Sequence, residues 1–334
     1  MVSITIEDIK AAKNRIHKFV NKTPILFSNK LSEWFGHDIF FKAECFQKIG
    51  AFKSRGACNT LAWLIENNER PELVVSNSSG NHAQAVAYAT SQFGVPATIY
   101  MPESVSRVKA QATKSYGAKT IFCKNRAIVD KETELASQEE GTYWIPPFNH
   151  PQVIAGQGTA AFESLNELHD IDAIFAPCGG GGLLSGSLIA TRALSPKSVI
   201  IGAEPKEAND AAISLRKNSI HTLSATPDTI ADGARTLSVG DITFEYLKQL
   251  DDFYEIEEDD IIYWTQWLSH LLKVRVEPTS AIPMSAVKKW LSKQKTKKRV
   301  LVIISGGNVD KATMNKIWSK DYLSEIPSLI SQTK

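Results

Sequence analysis

Apolar residues first fall into helical spacing at Ile9, Ala12, Ile16, Phe19 and Val20, behind a Thr5/Asp8 pair that reads as a helix start. Asn21-Lys-Thr-Pro24 stops that helix, and a short extended piece at 39–42 leads into a polar, small-residue stretch. A helix is expected over 57–65. From residue 73 the pattern repeats as strand then helix. Strands are expected at 73–77, 97–101 and 119–123, with helices at 84–93, 105–116 and 129–140. Each of those helices closes near a glycine, Gly94, Gly117 or Gly141, as C-termini often do. Pro146-Pro-Phe-Asn-His-Pro151 marks a boundary. A second run follows, with a helix at 158–168, strands at 173–176, 198–203 and 299–304, and a helix at 261–272. Such alternation predicts an α/β fold of parallel-rich open sheets covered by helices.

The chain's 334 residues suffice for two domains, each with its own core. The division expected is 1–66 with 150–334 for the larger and 67–149 for a smaller domain that closes over the site. Lys and Arg number 38 against 36 Asp and Glu, a net charge of +2 that argues against nucleic acid or a membrane surface as partner. The first residues lack the pattern of a signal peptide, and no apolar run reaches membrane-spanning length. Cys45, Cys58, Cys123 and Cys178 show no CxxC spacing, which favours free thiols in a reducing cytoplasm.

Four loops carry candidate chemistry. In Phe52-Lys53-Ser-Arg-Gly-Ala57, Lys53 is either one more solvated lysine or, if desolvated, an amine nucleophile toward a carbonyl. Gly179, Gly180, Gly181 and Gly182 follow a strand and precede a helix, a context that suits one phosphate. The spacing is not GxGxxG and no acidic residue stands where a ribose needs it, so a dinucleotide is disfavoured. Ser76-Asn-Ser-Ser-Gly-Asn-His82 also follows a strand; it is either a helix cap or a carboxylate site. Ser305-Gly-Gly-Asn-Val-Asp310 follows the last strand, and strand carboxyl ends line the ligand crevice in open parallel sheets. Separately, Glu204 and Asp210 flank a loop that is either solvated or a site for a hard cation such as Mg²⁺ or Ca²⁺.

Taken with Ile154-Ala-Gly-Gln-Gly-Thr159, Ile230-Ala-Asp-Gly233 and Glu277-Pro-Thr279, these segments resemble the fold-type II pyridoxal-phosphate enzymes, specifically the serine racemase and serine/threonine dehydratase family. The likeness runs nearly end to end. It implies a tryptophan synthase β-like fold, a homodimer, and Lys53 as both the Schiff-base lysine and the base on one face of the substrate Cα. It further implies Phe52 and Gly233 beside the cofactor ring and Asn81 on its hydroxyl. Gly179 to Gly182 with Leu183 would hold the phosphate, Ser305 the pyridine nitrogen, and Glu277 would join the cofactor contacts. Ser78, Ser79, Asn81 and His82 would receive the substrate, and Arg126 matches loosely an arginine near its entrance. Ser79 stands where racemases carry the acid/base for the opposite face. Glu204, the Ala208 carbonyl and Asp210 match a racemase-like site for Mg²⁺, Ca²⁺ or Mn²⁺.

The implied activity is serine racemisation with L-serine or L-threonine ammonia-lyase activity on small 3-hydroxy amino acids. The competing readings are a 3-hydroxyaspartate or threonine dehydratase without racemisation, a nucleotide-dependent oxidoreductase, and a non-catalytic ligand-binding homologue. Pro146-Pro-Phe-Asn149 departs from the His-Pro-Asn segment of nucleotide-activated animal racemases, which puts ATP activation in question.

Overall fold

The computed structural model describes residues 3–105 and 107–329. Met1, Val2, Ser106 and residues 330–334, which belong to the expected N-terminal stretch, the expected helix at 105–116 and the expected larger domain, lie outside the described residues. Ten strands are formed among the described residues: β1 (Ile25–Phe27), β2 (Asp38–Ala43), β3 (Leu73–Ser76), β4 (Ala97–Pro102), β5 (Lys119–Cys123), β6 (Thr142–Trp144), β7 (Ala173–Pro177), β8 (Val199–Pro205), β9 (Asp252–Ile256) and β10 (Arg299–Ile304). They make a six-stranded sheet, β1-β2-β10-β7-β8-β9, and a four-stranded sheet, β5-β4-β3-β6. Only β1 runs antiparallel to its neighbour; all other pairs are parallel.

The larger sheet is buried on both faces, and its strands divide their side chains by alternation. Val300, Val302 and Ile304 of β10 and Phe175 of β7 enter a core with Trp264 and Met284 from the helices Glu258–Leu272 and Pro283–Leu291. Leu301, Ile303 and Ile174 point the other way, to Ile154, Ala161 and Leu184 on the helices Pro151–Glu167 and Gly182–Leu194. The smaller sheet has its own core around Val74, Ile99, Val86 and Leu61. Thr5 N–H donates to Asp8 Oδ2 at 2.7 Å, so the helix Ile6–Ile16 begins where the sequence marks it. Gly94 caps its helix and Gly117 follows its helix closely, both with positive φ. Gly141 also has positive φ but stands directly before β6, and Gln138 caps the helix that ends at Ser137.

Several boundaries differ from the sequence expectation: the helices expected at 105–116 and 129–140 are Arg107–Ser115 and Arg126–Ser137, and most of the other shifts are at helix starts. The helices expected from 57, 84, 129 and 158 start earlier, at Lys53, Asn81, Arg126 and Pro151. The first turns from Lys53 and Asn81 are largely polar and that from Pro151 carries the N1 proline, so apolar periodicity begins late in those three. The helix from Arg126 opens Arg-Ala-Ile-Val and has no such reason. The edge strands β1 and β6 have three residues each, too few to display a period. Strand β9, Asp-Phe-Tyr-Glu-Ile, was equally invisible because its half-buried positions mix charge and ring.

Candidate active site

Lys53 is not in a loop; it is the first residue of the helix Lys53–Glu66. Phe52 N–H donates to the Ser305 carbonyl at 3.0 Å, tying that helix start to the end of β10. Two residues on, Arg55 is fully buried between carboxylates. Its Nε and Nη2 donate to Glu44 at 2.7 and 2.8 Å, and its Nη1 donates to Glu163 at 2.8 Å. Lys42 completes a charge-balanced set by donating to Glu163 at 2.7 Å. Fully paired ions in so dry a setting hold geometry, because losing one partner strands a buried charge. The Lys53 Nζ donates to the Pro147 carbonyl at 2.6 Å and lies 5.0 Å from the Phe52 ring centroid. Burial lowers its pKa to about 8, with Glu277 opposing the shift. The helix N-terminus disfavours the ammonium in the same sense.

The glycine loop joins β7 to the helix Gly182–Leu194. Added Cβ atoms would lie 2.8 Å from the Gly233 carbonyl at Gly179, 2.2 Å from the Phe148 ring at Gly180, and 2.5 Å from Gln157 Oε1 at Gly182. Gly181 has φ +90°, and Thr243 Oγ1 pins the loop by donating to the Gly180 carbonyl at 2.7 Å. Bare backbone at a helix N-terminus makes an anion cradle.

Opposite the lysine's helix start, Ser305 Oγ is buried 3.0 Å from Ser280 Oγ and 3.5 Å from Glu277 Oε1. Asn81 Nδ2 donates to both Glu277 oxygens, at 3.2 and 2.9 Å, and its Oδ1 accepts from Asn308 Nδ2 at 2.8 Å. Burial, then the Asp232 charge, holds Glu277 above the usual carboxylate range. Gly233 N–H donates to Thr279 Oγ1 at 3.0 Å, which sets that residue against the cradle.

The 76–82 loop joins β3 to the helix Asn81–Phe93. Ser78 Oγ accepts from Gly80 N–H at 3.3 Å, and Ser78 and Ser79 are half-buried. The first N–H groups of that helix have no intrahelical acceptor and suit a carboxylate. His82 is committed elsewhere: its Nε2–H donates to the Ile145 carbonyl at 2.8 Å. Burial, aided by the Lys53 charge, lowers its pKa to about 3, so the ring is neutral and only the His82 backbone remains for a carboxylate.

Against known proteins, the family described as pyridoxal-phosphate dependent enzyme matches residues 16–306. The chain belongs to the pyridoxal-phosphate-dependent enzymes. It is 45% identical over 315 residues to an L-threo-3-hydroxyaspartate ammonia-lyase of Saccharomyces cerevisiae, covering 93% of this chain and 95% of that protein. It is 43% identical over 312 residues to a serine racemase of Schizosaccharomyces pombe, covering 93% and 96%. The crystal structure of serine racemase from Dictyostelium discoideum superposes with a TM-score of 0.86 at 39% identity, over 92% of this chain and 100% of that one. The fold is that of the fold-type II members of this family.

The residues present fit the cofactor. An aldehyde needs an amine that is neutral at moderate pH, which Lys53 supplies; a phosphate needs a cradle with no side chains in it, which the four glycines supply. Ser305, a hydroxyl and not a carboxylate, stands ready for a ring nitrogen. Sequence reasoning gave no role to Pro147, Ser280, Asn308 or Gln157. For Gln157 a signal existed: it is a polar residue between Gly156 and Gly158, where Cβ atoms would lie 2.5 Å from the Arg55 carbonyl and 2.7 Å from Ile9 Cδ1. Two close helix approaches thus bracket a side chain turned inward.

Arg126 starts the helix Arg126–Ser137 and pairs with Asp130, Nη2 to Oδ1 at 2.9 Å. Asp130 also accepts from Asn77 Nδ2 at 2.7 Å, so the arginine is linked to the 76–82 loop through an acid, with its charge already balanced. At the far end of β8, Glu204 is fully buried and accepts from the Ala212 and Ala211 amides at 2.7 and 3.3 Å. Asp210 is buried too, and no side-chain donor meets either of its oxygens among the described residues. Burial raises its pKa to about 7; burial and the Asp210 charge hold Glu204 well above its usual range. Two desolvated carboxylates thus flank the buried Ala208 along the chain, and no group of three or more His, Cys, Asp or Glu side chains placed to hold a metal occurs among the described residues.

Proposed function

We propose that this protein racemises serine and eliminates water and ammonia from small 3-hydroxy amino acids. One observation supports this above others: Lys53, its pKa lowered to about 8 by burial with Glu277 opposing, and the Ser79 loop, whose following helix starts at Asn81 and bonds Glu277, occur together in a chain 43% identical to a serine racemase. When bound, the cofactor supplies a carbonyl for the substrate amine and an electron sink for the Cα–H bond. Lys53 takes the Cα proton on one face, and Ser79 exchanges a proton on the other. Ser78 and the amides of Asn81 and His82 hold the substrate carboxylate. Phe52 and Gly233 flank the ring, Asn81 and Glu277 orient its hydroxyl side, and Ser305 bonds its nitrogen weakly enough to favour elimination and proton exchange. Glu204, the Ala208 carbonyl and Asp210 hold Mg²⁺ or a similar cation.

We extend the reading to a homodimer, as the family resemblance implies, and to a reducing cytoplasm, supported by four unpaired thiols. The smaller domain, residues 67–149, closes over substrate in this reading. The 45% identity to a 3-hydroxyaspartate ammonia-lyase supports a second substrate. The pairing of Arg126 with Asp130 weighs against it, because a second substrate carboxylate would have to compete with Asp130 for that cation.

The test is purified protein with L-serine, following D-serine and pyruvate together, then L-threo-3-hydroxyaspartate. Ser79→Ala should lose racemisation and keep elimination of L-serine, while Lys53→Ala loses both. Turnover in the Lys53 variant refutes the mechanism, and pyruvate without D-serine in the parent protein reduces it to an ammonia-lyase.

A further inference from the structure

Gln157 is fully buried in the helix Pro151–Glu167, and its Oε1 has no hydrogen-bond donor. The amide's orientation is fixed by chemistry: its Nε2 faces the Pro147 carbonyl at 3.3 Å, an acceptor that only the nitrogen can meet. The oxygen therefore turns to the glycine cradle, 2.5 Å from where a Cβ on Gly182 would stand. A buried amide oxygen left unpaired costs the full desolvation of that group. Loop N–H groups at the helix start do not reach it, and they are the donors an anion in the cradle would use. The side chains that added Cβ atoms on the four glycines would meet are Phe148, Gln157, Thr243 and Leu247, none of them a cation.

An acceptor aimed at an anion is repulsive unless the anion carries a proton. We infer that Gln157 is a further cofactor-positioning residue whose Oε1 accepts a hydrogen bond from a protonated phosphate oxygen, so that the bound ester keeps one proton near neutral pH. The inference rests on the reading that the cradle holds the cofactor phosphate. The same Pro147 carbonyl accepts from Lys53 at 2.6 Å, so one backbone oxygen sets the positions of both the amine and the amide.

The test is ³¹P NMR of the holoenzyme between pH 5.5 and 9, after the visible absorbance has shown that cofactor is bound. The phosphorus of the parent protein should titrate at least one unit above the value of about 6 usual for a phosphate monoester. Gln157→Met keeps length and volume without a strong acceptor and should lower that midpoint by a unit or more. Gln157→Glu, a stronger acceptor, should keep or raise it; a merely structural role would move both variants alike. Should the Met variant fail to fold, the parent midpoint and the Glu variant still decide. A dianion at pH 7 in the parent protein, or one midpoint in all three proteins, overturns the inference and leaves the reading of the active site standing. Absence of bound cofactor in the parent protein overturns both.

Discussion

On the side of the six-stranded sheet, a Cβ at Gly180 would stand 2.2 Å from the Phe148 ring and one at Gly182 2.5 Å from Gln157 Oε1; on the side of the four-stranded sheet, one at Gly80 would meet nothing within 4 Å. The first wall is closed by packing. Its glycines are there because every larger residue collides, and its hydroxyls and carboxylate, Ser305, Ser280 and Glu277, are already bonded to one another. The second wall is open, and Ser78 and Ser79 are only half-buried. A wall that must bind one unchanging group is best preformed, and one that must admit, turn over and release a substrate needs room.

The largest effect should come from filling the closed wall. Gly180→Ala puts a methyl into the Phe148 ring, and overpacking of this kind costs about 1–3 kcal/mol. Phe148 is half-buried and can swing aside, so the fold should survive while cofactor affinity falls tenfold or more. Equilibrium titration followed by visible absorbance measures this. Unchanged affinity would mean that the cradle is not the phosphate site.

The amine beside that wall gives the next effect, through pH. Lys53 must be neutral to attack an aldehyde, and its pKa of about 8 lies below the ordinary 10.5. Cofactor loading of the apoprotein should therefore rise about tenfold per unit up to about pH 8 and then level off. A rate still climbing above pH 9.5 would show a fully solvated lysine.

Cation removal tests a region behind the closed wall. Asp210, raised to about pH 7, is protonated in the folded protein well above its unfolded value of 3.8. A metal-free chain thus loses stability as pH rises from about 4 through 7, where the buried carboxylate ionises without a partner. Added Mg²⁺ should raise Tm more at pH 8 than at pH 5.5, where protons compete for the same oxygens. Equal shifts at both pH values, or none, would remove the site.

Much of this contrast was legible in the residues. Strands such as Arg-Val-Leu-Val-Ile-Ile show themselves because both faces are apolar, and the glycine run after β7 marks a strand-to-helix turn of bare backbone without any coordinates. What was missed is which polar atoms end up paired. Arg126 looked like a free cation and is held by Asp130; His82 looked like a ligand and is a neutral ring bonded to Ile145; Gln157 stood just outside an expected helix and is a helix residue turned to the cradle. The Arg126–Asp130 pair is an i,i+4 contact on one helix that charge spacing could have shown. The His82–Ile145 bond and the approach of Gln157 to Gly182 instead join residues tens of positions apart, and hydrophobic period carries no record of those.

The smallest effect should come from the open wall. Gly80→Ala adds a methyl where nothing stands within 4 Å, at φ −116°, so no packed atom has to give way. Surface-like changes of this sort fall within about 0.5 kcal/mol, or about 1–2 °C in Tm for a chain of this size. Cofactor affinity should be unchanged, because the closed wall is untouched. The methyl does occupy space beside Ser79, so KM for serine should shift while absorbance and melting do not. A Gly80 variant that lost cofactor as readily as the Gly180 variant would erase the distinction, since it would mean that the loop of the smaller sheet shapes the cofactor site as strongly as the cradle does.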